Sequence, residues 1–451
     1  MVVEVKMEIR LDPMQGYVTK EGLFDQKKAF MSTGVKAAVC YKEVKDGIPV
    51  SQDMIRKDED FVTLFTRGLD TVFNDHTTPS EHQSVSLEIV GIPKILCMAL
   101  NNEKQYTADE RSLRYTKVEE NANISKKEVE LYNKWLKNFN DVIDNKMGDF
   151  YRKFSKTDAG AKKAILKMAQ ENARYMVGVF MPTTTTYTVP WIQINKIMSY
   201  MKKVIDNPLD GLEEMLIPYF KEFINTCIKL DVAITKDSIY RNLLNDDKAM
   251  EKVLKKYPEV RYYKGDSSLV YKNNKDVDLS LFANRNPFTG INEDNEYGHN
   301  ISYNNYESFA CLAQEQRHRT INCEMMVPNE FKAYVPPIIE DNEYLVKEWL
   351  KDIKSLKEVY PQGQLIKVNR CGSIKDVLKF VAQERACDRA QLEIEKVYVD
   401  DMIPNIYENL QKQEQVNLAM KVKPYVKKLR CSFPGYHCPS TCGHPRIDRK
   451  L

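Results

Sequence analysis

Apolar residues recur at helical spacing through Phe61, Leu64, Phe65, Leu69, Val72 and Phe73, which predicts an amphipathic helix from Asp60 to Phe73. From Ser84 to Leu100 the pattern changes. Nearly every position is apolar, Val and Ile dominate at first, and Gly91 and Pro93 interrupt the run, so it reads as a buried strand continuing into a helix. Asn101 to Tyr115 is polar and reads as a loop. The charged, periodic stretch from Ser125 to Tyr175 reads as helical, with Ser125 and Glu128 spaced as a capping box and Gly148 and Gly160 as its breakers. Four threonines between prolines favour an extended segment from Met181 to Pro190, and Trp191 to Ile205 returns to helical spacing.

Apolar periodicity fades between Thr235 and Asn305, where Asn, Asp, Lys and Tyr dominate. That stretch reads as a connector with a small irregular insert. Pattern returns with the apolar run Phe309 to Ala313, a helix or a buried strand. A charged helix is expected from Asn342 to Val359 and one or two amphipathic helices from Ser373 to Tyr407.

Composition narrows the class without choosing a function. The 451 residues, 43% of them hydrophobic, allow two or three soluble domains, and a formal charge of +3 is too small to make nucleic acid or a membrane the expected partner. No apolar stretch approaches the roughly 20 residues that span a bilayer, and the N-terminus lacks the apolar core of a signal peptide, so a cytoplasmic location is the expectation. The cysteines Cys97, Cys227 and Cys311 stand singly in apolar surroundings and read as reduced core thiols. The basic tail gathers Cys431, His437, Cys438, Cys442 and His444, but without a Cys-x-x-Cys pair no metal site is expected there.

Three short clusters carry chemistry. Gln314 precedes Arg317-His318-Arg319, where two guanidinium forks could grip a phosphate or carboxylate, though such a triplet alone is more often a solvated surface run. In Glu110-Arg111-Ser112-Leu113-Arg114-Tyr115, an extended backbone would turn Glu110, Ser112 and Arg114 to one side; the bland alternative is an exposed polar loop. His76 to His82, with Thr78 and Glu81, could equally be a turn with capping side chains.

In this order the pieces resemble the flavin-dependent thymidylate synthases (ThyX type), whose signature reads Arg-His-Arg-x-x-Ser-x-Asn-Glu-x-Ser-x-Arg-Tyr. His76 to His82, the apolar strand, Glu110-x-Ser112-x-Arg114-Tyr115, Ala173-Arg174, Pro182, Thr188, Trp191 and Asn195 follow that family's order. Asn102-Glu103-Lys104 stands where the Arg-His-Arg should fall. The triplet reappears in the second half as Arg317-His318-Arg319 after Gln314, there without the Ser-x-Arg-Tyr end. Arg385 with Ala390-Gln391-x-Glu393-Ile394 resembles the family's closing element, which the first half lacks between Asp206 and Met215. The chain thus resembles two tandem copies of one unit, each eroded where the other is intact.

The resemblance implies an α+β fold with a mixed sheet packed on long helices in each unit. It implies an N-terminal unit over 1–232, a connector over 233–305, a C-terminal unit over 306–430 and a tail over 431–451. It further implies one composite site built from both halves, because family members share each site between subunits, and a homodimer that reproduces the family's tetramer of single units. The implied reaction is reductive methylation of dUMP, with FAD as cofactor, NADPH as reductant and methylenetetrahydrofolate as carbon donor. In that reading Arg385 is catalytic, and Gln314, Arg317, Glu110, Ser112, Leu113, Arg114 and Arg174 bind the nucleotide. Thr78, Glu81, Arg317, His318, Arg319 and Asn195 hold the flavin, and no metal is needed. Leu113 where the family has glycine, and Ile197 where it has arginine, keep hydroxymethylation of dUMP or dCMP open as a sibling reaction. A noncatalytic nucleotide-binding or scaffolding duplicate is the alternative of another class.

Overall fold

The structure is a computed structural model, and it describes residues 7–43, 48–73, 78–103, 105–111, 118, 124–155, 157–234, 268–271, 300–387 and 390–438. The chain divides into two compact units whose segments interleave. One comprises Met1–Arg111 with Met181–Glu259, the other Ser112–Phe180 with Val260–Leu451. The fold is α+β, as the resemblance implies, and both described sheets are antiparallel throughout.

In the first unit β1 (Glu8–Leu11), β2 (Ser84–Pro93), β3 (Thr107–Glu110) and β4 (Pro182–Pro190) form an antiparallel sheet in the order β1-β2-β4-β3. β2 alternates well enough to bury Val85, Leu87 and Ile89, and a bulge between Val90 and Ile92 is turned at Gly91, whose φ of 79° a side chain would oppose. The strand passes at Pro93 into α4 (Lys94–Asn101), and β4 passes at Pro190 into α7 (Trp191–Asp206), so each proline ends a ladder where a helix begins. Helices α1 (Gln26–Tyr41) and α3 (Phe61–Phe73), separated by the short α2 (Gln52–Asp58), cross on two glycines. A Cβ on Gly34 would lie 1.8 Å from the carbonyl oxygen of Leu64, and one on Gly68 would lie 1.9 Å from that of Phe30. Phe24 and Phe30 then pack on Trp191 with ring centroids 5.1 and 4.8 Å away. The unit closes with α8 (Gly211–Lys229), capped by Asp210.

The second unit takes two long helices from the first half of the sequence. α5 (Lys126–Phe154) starts on the expected capping box of Ser125 and Glu128, and the other Glu128 oxygen accepts from Gly178 N at 2.9 Å. α6 (Asp158–Ala173) starts on Thr157. The break between them therefore falls between Ser155 and Thr157, where the Thr157 hydroxyl caps α6, whereas the expected breakers Gly148 and Gly160 both lie inside helices. Further along the chain come β5 (Ser268–Tyr271), β6 (Asn300–Ser308), α9 (Phe309–Glu315), β7 (Asn322–Met326), α10 (Glu343–Lys354) and β8 (Leu365–Ser373). Trp135 and Phe139 on α5 meet Trp349 on α10, and the Trp135 indole donates to Asp352 at 2.9 Å. After β8 the chain is helical through Ile374–Asp376, a π-turn over Val377–Val381 and Ala382–Arg385, and again from Leu392 to Lys412.

The second sheet has the order β5-β6-β8-β7, the first sheet's order repeated. Register makes the equivalence residue by residue. Thr188, two before the end of β4, pairs with Ser86 and Thr107, while Cys371, two before the end of β8, pairs with Ser302 and Asn322. Thr107 and Asn322 are therefore equivalent, and so are the helix starts Lys94 and Phe309 that precede them by the same spacing. Counting back from the strands sets Asn102-Glu103-Lys104 against Arg317-His318-Arg319.

Two expectations need correction. The polar loop Asn101–Tyr115 contains β3, and the irregular stretch Thr235–Asn305 contains β5 and the start of β6. In both cases edge position or inward polar side chains remove the apolar signal that sequence reading relies on. No described helix is long and apolar enough to cross a membrane, and the described cysteines are free thiols, with Cys97, Cys227 and Cys311 buried.

Candidate active site in the second unit

β6 ends at Ser308, whose side chain caps α9 by accepting from Cys311 N at 3.1 Å. The same serine donates through its backbone N and its hydroxyl to Glu393, at 2.8 and 2.5 Å. One short helix is thus pinned at its start, and its last turn delivers Gln314 and, just beyond, His318.

Arg385 reaches back to this turn. Its Nε donates to His318 Nε2 at 2.7 Å and its terminal NH2 donates to the Gln314 carbonyl at 3.0 Å. Guanidinium has no acceptor, so His318 Nε2 must be the bare, accepting nitrogen and the ring is neutral. Burial, with Arg385 and Arg317 close by, pushes the imidazole pKa down to about 3. The carboxylate of Glu384, 3.9 Å from the same nitrogen, therefore makes no ion pair with it at neutral pH. Arg317 and Arg319, on either side of His318 in sequence, are exposed.

Behind the arginine lies a buried polar chain. Arg174, in the turn after α6, donates to Gln391 Oε1, and Gln314 Nε2 donates to the same oxygen as well as to the Ala310 carbonyl at 3.3 Å. Gln391 Nε2 donates to Tyr175, whose hydroxyl donates to Glu393 at 2.7 Å. Among the described residues Arg174 Nε and Gln314 Oε1 are buried without a hydrogen-bond partner. Such orphans cost about 1–3 kcal/mol each unless a ligand or water satisfies them.

A second buried cluster underpins α9. Arg370, on the central strand β8, donates to Glu307 at 2.6 Å, to Glu315 at 2.7 Å and to Asn305 at 2.7 Å, and Tyr398 donates to Glu315. All three charged groups are fully buried. One guanidinium offsets one carboxylate, so burial holds the Glu307 carboxyl well above its usual range. Glu315 is the last residue of α9, and its carbonyl accepts from His318 N at 2.8 Å, which ties the cluster to the triplet.

The structure thus brings Arg174, Gln314, His318 and Arg385 together within one unit. Glu110 lies in the other unit, half-buried at the end of β3 with its carboxylate gripped by Lys94 at 2.6 and 2.7 Å. Thr78 and Glu81 are exposed around a 3-10 turn, where the Thr78 carbonyl accepts from Glu81 N at 3.2 Å. The Asn195 amide is engaged by its own unit: it donates to Trp191 O and Val232 O and accepts from Ile234 N. His76, Thr77, Ser112, Leu113, Arg114, Tyr115, Cys442 and His444 lie outside the described residues. Among the described residues no group of three or more His, Cys, Asp or Glu is placed to hold a metal ion.

Sequence reading assigned no role to Gln391, Tyr175, Glu393, Arg370, Glu307 or Glu315. Gln391 and Glu393 were within reach, since they belong to the closing Ala-Gln-x-Glu-Ile element, and Tyr175 follows Arg174 directly. The Glu307–Arg370 pair carries no local signal, because it joins two strands far apart in sequence.

An antiparallel sheet whose helix end gathers arginines, a neutral histidine and two unsatisfied polar atoms is chemically able to hold a small anionic ligand. Residues 24–194, less than half of the chain, match the family model described as thymidylate synthase complementing protein. A solved structure of Thymidylate Synthase X from Helicobacter pylori, determined with FAD and dUMP, is 14% identical, covering 52% of this chain and 100% of its own, with a TM-score of 0.26. No curated protein matches the chain.

Proposed function

We propose that this chain is a flavin-dependent thymidylate synthase that methylates dUMP, with methylenetetrahydrofolate as carbon donor and NADPH as reductant. The observation that carries the reading is the convergence of Arg174, Gln314, His318 and Arg385, with Arg174 Nε and Gln314 Oε1 buried and without partners among the described residues. A nucleotide supplies what such a site lacks, an anion for the guanidinium groups and a polar edge for the orphans. The donor set also suits a flavin dinucleotide, because exposed Arg317 and Arg319 offer forks for its phosphates beside a ring held neutral. When bound, FAD supplies the electron transfer that no side chain can perform.

The chain's own residues do the rest. Arg385 is held from behind by His318 and the Gln314 carbonyl, so its charge is fixed before substrate arrives and can stabilise negative charge developing on a pyrimidine carbonyl. His318, neutral and protonated on Nδ1, positions Arg385 without competing for the anion. Arg174 and Gln314 bind and orient the nucleotide. The family resemblance is the support for nucleotide-binding roles of Glu110, Ser112, Leu113 and Arg114, for flavin-binding roles of Thr78, Glu81 and Asn195, and for a cytoplasmic homodimer of tandem chains, and these stay part of the proposal. The sheet registers support the tandem reading, because they align the two halves without an insertion from helix start to the third strand.

The test is direct. Protein supplied with FAD is expected to show flavin absorbance and to oxidise NADPH faster when dUMP is added, with a product whose mass gives a methyl group. Failure to bind FAD overturns the proposal, and a hydroxymethyl product replaces it with the sibling reaction.

A further inference from the structure

The chain Arg174–Gln391–Tyr175–Glu393 has a fixed direction. Arg174 can only donate, so the oxygen of Gln391 must face it, and the nitrogen of Gln391 must face Tyr175. The tyrosine oxygen therefore accepts from Gln391 and gives its own proton to Glu393, which already accepts from Ser308 N and Oγ. The Gln391 oxygen also receives Gln314 Nε2, and the Ala310 carbonyl receives the same nitrogen. Gln314 cannot turn its amide over without setting oxygen against two oxygens. Its Oε1, without a partner among the described residues, is thereby an obligatory acceptor, and Arg174 Nε, also without one among them, is a donor.

We infer that Tyr175, Gln391 and Glu393 are positioning residues that fix the hydrogen-bond polarity of the site, presenting the ligand with one acceptor, Gln314 Oε1, and one donor, Arg174 Nε. The ligand class this selects is a base edge in which an N–H stands beside a carbonyl, as in the imide of a pyrimidine. The inference rests on the nucleotide reading above and adds which residues enforce it. The first sequence half supports it by contrast. By sheet register and helix start the positions of Ser308 and Gln314 are taken there by Pro93 and Ala99, neither of which has a side chain that can make these bonds.

The test compares dUMP with its N3-methyl analogue, which lacks the N–H, by calorimetry on the FAD-loaded protein. The wild type is expected to bind the analogue about tenfold to a hundredfold more weakly, the range of one unsatisfied buried group. Gln391→Met removes the shared acceptor, and is expected to raise KM for dUMP about tenfold, with a smaller change in kcat, and to erase the preference. Gln391→Glu keeps an oxygen facing both Arg174 and Gln314, and is expected to retain the preference, which a merely structural role would not separate. Equal binding of both nucleotides by the wild type overturns the inference whether or not the variants fold, as does a Gln391→Met protein that discriminates as well as the wild type. A wild type that binds FAD but no dUMP overturns the nucleotide reading and this inference with it.

Discussion

The central strands of the two sheets carry, at equivalent positions, Tyr187 and Arg370, and around them the same backbone is held in opposite ways. In the first unit Tyr187 sits among apolar neighbours: Ile92 and Leu100 occupy the positions of Glu307 and Glu315, and the phenol donates to the Leu100 carbonyl at 2.9 Å. In the second unit Arg370 ties both glutamates together in full burial. An apolar core is the more stable solution, since desolvating an ion cluster costs several kcal/mol that pairing only partly returns. The comparison teaches that the ionic solution is kept where the helix it braces ends in Arg-His-Arg, and is absent where Asn102-Glu103-Lys104 ends the equivalent helix.

That contrast can be broken most severely at the helix that follows each central strand. Arg385→Ala is expected to abolish dUMP-dependent turnover with flavin still bound, whereas Lys202→Ala, at the equivalent count in the first half, should leave turnover close to wild type. Next in size is stability. Arg370→Ala strands two buried glutamates and should cost about 3–5 kcal/mol in urea unfolding. The triple change Arg370→Tyr, Glu307→Ile and Glu315→Leu, which imitates the first unit, should recover most of that loss without restoring activity.

A smaller effect follows from pH. His318 is held neutral in the fold with its pKa near 3, while the unfolded chain takes up a proton below about 6.5. Stability should therefore fall as pH drops from about 6.5 towards 3, by about 1.4 kcal/mol per pH unit, and His318→Gln should remove that component of the slope. Smallest is Tyr187→Phe, which deletes one hydrogen bond and should cost about 1 kcal/mol. A loss as large as that of Arg370→Ala would erase the contrast between the two cores.

How much of this was legible in the sequence depended on whether the cause was local. The Asp60–Phe73 helix, the strand-to-helix passage at Pro93, the Ser125–Glu128 cap and the threonine strand each follow from neighbours within a turn or a pleat, and each is present. Gln314, His318 and Arg385 were legible because they sit in short motifs. β6 was not, because its inward positions include Glu307, which reads as polar until Arg370 is seen opposite. The Gln391 relay was hidden for the same reason. It joins Arg174 and Tyr175 to residues more than two hundred positions away, and no periodicity records such a contact.

The central proposal is that the chain holds a single nucleotide site, the one gathered in the second unit. Titration of the FAD-loaded chain with dUMP measures this most directly: the account predicts one nucleotide bound per chain, lost in Arg385→Ala or Gln314→Ala protein and unaffected by Lys202→Ala. Two nucleotides per chain, or binding that survives both of the first two changes, would contradict it.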